Sequence, residues 1–135
     1  MQIADILIRH KDREGPLLPI LHDVQALFGF VCEDSIRAIA DALNLTRAEV
    51  HGVVSFYHDF RTAPDARPVI KLCRAEACQA RGVDAVAAAV PQQDRVKIET
   101  IYCLGLCSVG PAAMVGTTVH ARLDTEKLAA LVAAI

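Results

Sequence analysis

The feature that most constrains this fold is the change of hydrophobic period across residues 63–68, Ala-Pro-Asp-Ala-Arg-Pro. Proline lacks an amide hydrogen and restricts the residue before it, so no helix runs through this stretch. Upstream, apolar residues recur at helical spacing. Downstream, short β-branched runs appear. The chain therefore reads as a helical domain over 1–62, a linker over 63–68 and a mixed α/β (α+β) domain over 69–135.

Upstream, Ile3, Ile6 and Leu7 mark a first helix that Gly15-Pro16 ends. Leu17, Ile20, Leu21, Val24 and Leu27 form one face of a second, over 16–28, closed by Gly29. A third is expected over 34–43, capped from Glu33, Asp34 or Ser35 and closed by Asn44. Thr46-Arg47-Ala48-Glu49 is a capping box that opens a fourth, expected to reach Phe60.

Downstream, 69–72 is a buried-strand candidate, and the alanine-rich 77–90 a helix that Pro91 breaks. Residues 96–102 alternate as a strand, and Gly116-Thr117 signals a hairpin between 112–115 and 118–122. Asp124 caps a last helix. A strand–helix–strand crossover places its two strands parallel. With the hairpin this gives a small mixed sheet with helices packed on it, close to a thioredoxin-like layout.

Composition narrows the function. The net charge is −2, with no basic stripe, and aromatics are 4% without tryptophan, so nucleic-acid binding is not expected. No apolar run approaches the ~20 residues of a membrane span. Asp5 interrupts the first apolar residues and no small-residue cleavage site follows, so a signal peptide is not expected and the cytoplasm is. No Walker loop, G-x-G-x-x-G or nucleophile elbow is present.

Five cysteines in a reducing compartment suggest metal binding or redox chemistry rather than disulfides. Four residues separate Cys73 from Cys78 and three separate Cys103 from Cys107, with twenty-four between the pairs. Parallel neighbouring strands finish at one sheet edge, where ligand sites concentrate. Both pairs arrive there, and two loops with two thiolates each suit one 2Fe–2S cluster, one pair per iron. Small residues in Arg74-Ala75-Glu76-Ala77 and Leu104-Gly105-Leu106 let amides turn towards sulfur, Gly105 and Gly110 permit close backbone approach, and Leu104, Leu106 and Val109 shield the site. Structural zinc also takes four thiolates, though its knuckles usually use two-residue gaps. A thiol redox sensor is a third reading, without a Cys-x-x-Cys to support it. Cys32 reads as a packed core thiol. His51 and His58 fall on nearly one face of the fourth helix, the usual place of partly buried histidines.

The stretches 69–79, Val-Ile-Lys-Leu-Cys-Arg-Ala-Glu-Ala-Cys-Gln, and 102–112, Tyr-Cys-Leu-Gly-Leu-Cys-Ser-Val-Gly-Pro-Ala, resemble the thioredoxin-like 2Fe–2S subunit shared by respiratory complex I, NAD-reducing hydrogenases and soluble NAD-dependent formate dehydrogenases. Residues 43–57 resemble the last helix of that family's N-terminal helical domain. The wording Cys-Arg-Ala-Glu-Ala-Cys-Gln is most similar to the gamma subunit of the molybdenum formate dehydrogenases. The resemblance implies an electron-transfer subunit, not catalytic alone, with Cys73, Cys78, Cys103 and Cys107 as cluster ligands. It implies a flavoprotein partner holding FMN and the NAD site and, through it, a molybdenum subunit that oxidises formate. The equivalent subunit of complex I or of a hydrogenase is the alternative.

Overall fold

The computed structural model describes residues 2–135, which form two compact units, the first ending at Ala66 and the second beginning at Arg67. The first holds four helices: α1 (Ile3–Arg9), α2 (Leu17–Phe28), α3 (Glu33–Leu43) and α4 (Arg47–Phe56). Their apolar stripes meet in a core that includes Ile6, Ile20, Leu21, Val24, Val31, Ile36, Ile39, Val50 and Val54. Burying a side chain of this size stabilises by roughly 1.5–3 kcal/mol, so the core outweighs any single cap.

The expected punctuation is present in most places. Gly29 ends α2 with φ 83° and Asn44 ends α3 with φ 54°. At α4 the Thr46 hydroxyl accepts from the Glu49 amide at 3.2 Å, and the Thr46 amide donates to Glu49 Oε2 at 2.7 Å. Two readings are corrected. The fourth helix stops at Phe56, not Phe60. Beyond it the chain turns so that Phe60 is buried with its ring 4.8 Å from that of His22, and the Gln25 side chain holds the turn by accepting from the Arg61 amide at 2.7 Å. Cys32 is not a core thiol. It is half-buried and caps α3, its Sγ accepting from the Ser35 amide at 3.4 Å.

The second unit is a four-stranded mixed sheet in the order β2-β1-β3-β4, with β1 Val69–Cys73, β2 Lys97–Ile101, β3 Ala113–Val115 and β4 Thr118–His120. Strands β1 and β2 are parallel, with Val69 opposite Lys97 and Cys73 opposite Ile101. Strand β3 runs antiparallel to β1, and β4 to β3, which closes the hairpin at Gly116-Thr117. The expected crossover helix is broken in two, α5 (Glu76–Ala80) and α6 (Val83–Ala89), because Gly82 adopts φ 88° between them. Asp124 caps α7 (Thr125–Ala134) by accepting from the Lys127 amide at 2.8 Å. Arg95 donates to the carbonyls of Val132 and Ile135, where α7 leaves acceptors unmet. Ile70, Leu72, Val83, Val96, Leu123 and Leu128 are among the core residues of this unit. The result is the mixed α/β, thioredoxin-like layout that the residue pattern implied.

Candidate metal centre

Strand β1 carries Cys73 as its last residue, and α5 carries Cys78 in the turn that follows. Strand β2 ends at Ile101, opposite Cys73, and two residues later the chain reaches Cys103. The Arg74 amide donates to the Ile101 carbonyl at 2.9 Å, so the β1–β2 pairing persists into the first loop. Cys103 and Gly105 both have positive φ, 75° and 76°, which folds the second loop back on itself. Cys107 then opens a 3-10 turn, Cys107–Val109. The parallel register thus brings all four predicted sulfurs to one sheet edge.

The sulfurs come in twos. Cys103 Sγ and Cys107 Sγ are 3.6 Å apart. Cys73 and Cys78 lie close enough for each thiol to shift the other's pKa, Cys73 down and Cys78 up. The amide of Cys103 donates to Cys73 Sγ at 3.3 Å and stitches the two loops together. The pairs differ in surroundings: Cys73 and Cys78 are buried, Cys103 and Cys107 exposed. Among the described residues, no three histidine, cysteine, aspartate or glutamate side chains gather as a ligand group for a single metal ion. A two-iron cluster asks for one thiolate pair at each iron.

Backbone amides converge on these sulfurs. Cys73 Sγ accepts from the Cys103 amide and Cys103 Sγ from the Gly105 amide, each at 3.3 Å, while the amides of Ala75 and Leu104 near Cys73 and of Ala112 near Cys78 favour the thiolate of each. Burial pushes the Cys73 thiol up, but these amides and the Cys78 thiol carry it below the usual cysteine range. Burial raises Cys78, and the Cys73 thiol raises it further. Cys107 is raised by its hydrogen bond with Cys103 and by that neighbour's charge. Amides aimed at sulfur stabilise thiolate, the form that ligates metal. A donor set of four thiols in two pairs, each supplied with amides, fits a two-iron cluster.

Space is tight at Gly110, where a Cβ would lie 3.0 Å from Cys78 Sγ and 3.3 Å from Arg81 Cδ. Leu104 and Leu106 are partly buried against the core of this unit beside the site. Arg74, directly after Cys73, donates from Nη1 to Asp84 Oδ1 at 2.6 Å, while its Nε is buried without a partner. The Ala112 amide escaped sequence reasoning, since it reaches Cys78 only through the antiparallel return of β3.

The histidines do not add to the centre. His51 is exposed on α4, and His58 lies beyond the end of that helix, so the two do not share a helix face. His10, for which the sequence suggested no chemistry, is buried with Nε2 2.7 Å from Asp23 Oδ2. That bond holds the Asp23 carboxyl below its ordinary value.

Two thiol pairs at the carboxyl ends of parallel strands of a thioredoxin-like sheet define a class of ferredoxin. The family model for the thioredoxin-like [2Fe-2S] ferredoxin matches residues 3–135; the chain belongs to that family, and its cofactor is one 2Fe–2S cluster. It is 31% identical over 132 residues to HndA, a component of the NADP-reducing hydrogenase of Solidesulfovibrio fructosivorans, covering 90% of this chain and 77% of that protein. It is 30% identical over 130 residues to a component of the NADH-quinone oxidoreductase of Escherichia coli K12, covering 88% of this chain and 78% of that protein. Among solved structures, an NAD+-reducing [NiFe]-hydrogenase in the H2-reduced state matches with a TM-score of 0.69 and 26% identity, covering 87% of this chain and 22% of that one. Among the described residues, no helix is long and apolar enough to cross a membrane.

Proposed function

We propose that this chain is the electron-transfer subunit of an NAD-linked oxidoreductase, with Cys73, Cys78, Cys103 and Cys107 ligating its cluster. The observation that carries this reading is the delivery of two thiol pairs to one sheet edge, one buried and one exposed. When bound, the cluster accepts and donates single electrons. The chain's own residues set its surroundings. The amides of Ala75, Cys103, Leu104, Gly105 and Ala112 withdraw charge from the sulfurs. The exposed Cys103–Cys107 pair gives a redox partner close access, and the core behind Cys73 and Cys78 excludes water.

The partner is a flavoprotein subunit that holds FMN and the NAD site, and the complex works in the cytoplasm. The family relatives, components of an NADH-quinone oxidoreductase and of a hydrogenase, support the partnership. Within it, the Cys-Arg-Ala-Glu-Ala-Cys-Gln wording favours the gamma subunit of a molybdenum formate dehydrogenase.

Anaerobic purification tests the first part. The protein is expected to be coloured, to contain about two irons and two sulfides, and to give a paramagnetic signal only on reduction. Cys73→Ala should abolish that signal. Stoichiometric zinc in place of iron would overturn the proposal in favour of a zinc-stapled module, colourless and unfolded by chelator. Purification from the native source tests the second part: a molybdenum subunit together with formate-dependent NAD reduction is expected, and a nickel hydrogenase or a membrane complex would reassign the chain.

A further inference from the structure

Arg74 is the first residue of the loop that joins the buried pair, and it is held at several points. Its amide donates to the Ile101 carbonyl at 2.9 Å, and its carbonyl accepts from Gln79 Nε2 at 2.6 Å. Its Nη1 donates to Asp84 Oδ1 at 2.6 Å, which ties the cysteine loop to the first turn of α6. Its Nε has no partner, and among the described residues it is the buried side-chain nitrogen or oxygen left in that state. Guanidinium does not shed its proton, so this N–H is a permanent donor shut away from water. Native proteins rarely leave such a group unmet, and a missing ion or ligand is a common explanation.

The four candidate thiols lie at this end of the sheet, with Cys73 the residue directly before Arg74, and the cluster is anionic. Reduction adds one electron and one negative charge to it, with no bond made or broken. A fixed positive charge close by therefore favours the reduced state, and a hydrogen bond to sulfur acts in the same sense. A neighbouring carboxylate opposes both.

We propose that Arg74 is a redox-positioning residue: its guanidinium raises the cluster's reduction potential, its Nε–H finds its acceptor among the cluster sulfurs, and Asp84 moderates the effect. This rests on the reading of Cys73 and Cys78 as cluster ligands. It also gives the Arg of the first cysteine loop a physical role that ligand spacing does not supply.

The test is a mediated titration of the cluster-bearing full-length chain, with dithionite as the electron source and the paramagnetic signal as readout. In Arg74→Gln the charge is lost, and the equilibrium should move at least threefold towards the oxidised form, a fall of about 28 mV at 59 mV per tenfold for one electron. Arg74→Lys keeps the charge without Nε and should fall part of the way. Asp84→Asn keeps an acceptor for Nη1 but removes the opposing charge, so its potential should rise. Iron and sulfide contents are measured on every variant. An unchanged potential in Arg74→Gln with its cluster intact, or a fall in Asp84→Asn, would overturn the role given to Arg74 and leave the ligand assignment standing. If Arg74→Gln loses its cluster, the direction of the Asp84→Asn shift decides. A wild-type chain without a reducible cluster would sink the ligand assignment and this inference together.

Discussion

At the scale of single residues, the site depends on how close backbone comes to sulfur. Gly110 shows this most sharply, since a methyl group there would press on Cys78 Sγ and Arg81 at once. Arg81 is long enough to move, but a sulfur fixed by a metal is not. Gly110→Ala is therefore expected to fold and yet hold its cluster poorly, seen as faster bleaching of the visible spectrum under chelator; wild-type bleaching kinetics would refute the tight-contact account. Cys32 makes the opposite case. Its sulfur caps α3, with Ser35 hydrogen bonds drawing its pKa down. Cys32→Ala should cost about 0.5–1 kcal/mol, the lower part of the usual N-cap range because sulfur accepts weakly. Its cluster spectrum should match wild type, and a loss of iron in this variant would reopen the ligand assignment.

At the scale of elements, sequence and structure agree wherever a local signal acts alone. The Thr46–Glu49 box, the Gly29 stop and the Asp124 cap all sit where residue chemistry puts them. The placement of the candidate residues was legible in part for a similar reason: the β1–β2 register sets Cys73 beside the start of the Cys103 loop, while Cys78 and Cys107 take their positions from α5 and the 3-10 turn. The misreadings arise where tertiary packing or a single glycine intervenes. Alanine favours helix so strongly that 77–90 reads as one piece, yet Gly82 breaks it at a left-handed φ of 88°. Helical periodicity carries on through Tyr57 towards Phe60, but the aromatic ring is worth more packed in the core, so α4 ends early. Cys32 has the composition of a core residue, and only the start of α3 makes it a cap. Gly52 offers a test of how far helix propensity rules here. It lies inside α4, and a Cβ there would meet nothing within 4 Å. Gly52→Ala should raise stability by up to ~1 kcal/mol in a denaturant melt. A destabilised variant would show that this backbone is not relaxed helix.

At the scale of the whole molecule, each unit has its own apolar core, and all four candidate ligands lie in the second. Ligands that bind only the folded state add their binding energy to its stability. Chelating the metal under reducing conditions should therefore lower amide protection in β1, β2 and α5 and leave α3 and α4 close to their starting values. Equal loss of protection in both units would show that they unfold as one. The parallel pairing of Val69–Cys73 with Lys97–Ile101 has a further consequence. A slip of one residue would turn every β2 side chain to the opposite face, Ile98 and Ile101, which pack partly buried against this unit's core, among them. The ladder, and not the tether between the strands, acts as the ruler for the two sulfur pairs. Insertions at the exposed Pro91-Gln92, outside the core positions Val83 and Val96 and the Arg74–Asp84 contact, are thereby tolerated, lengthening the crossover while the metal end of the sheet keeps its dimensions.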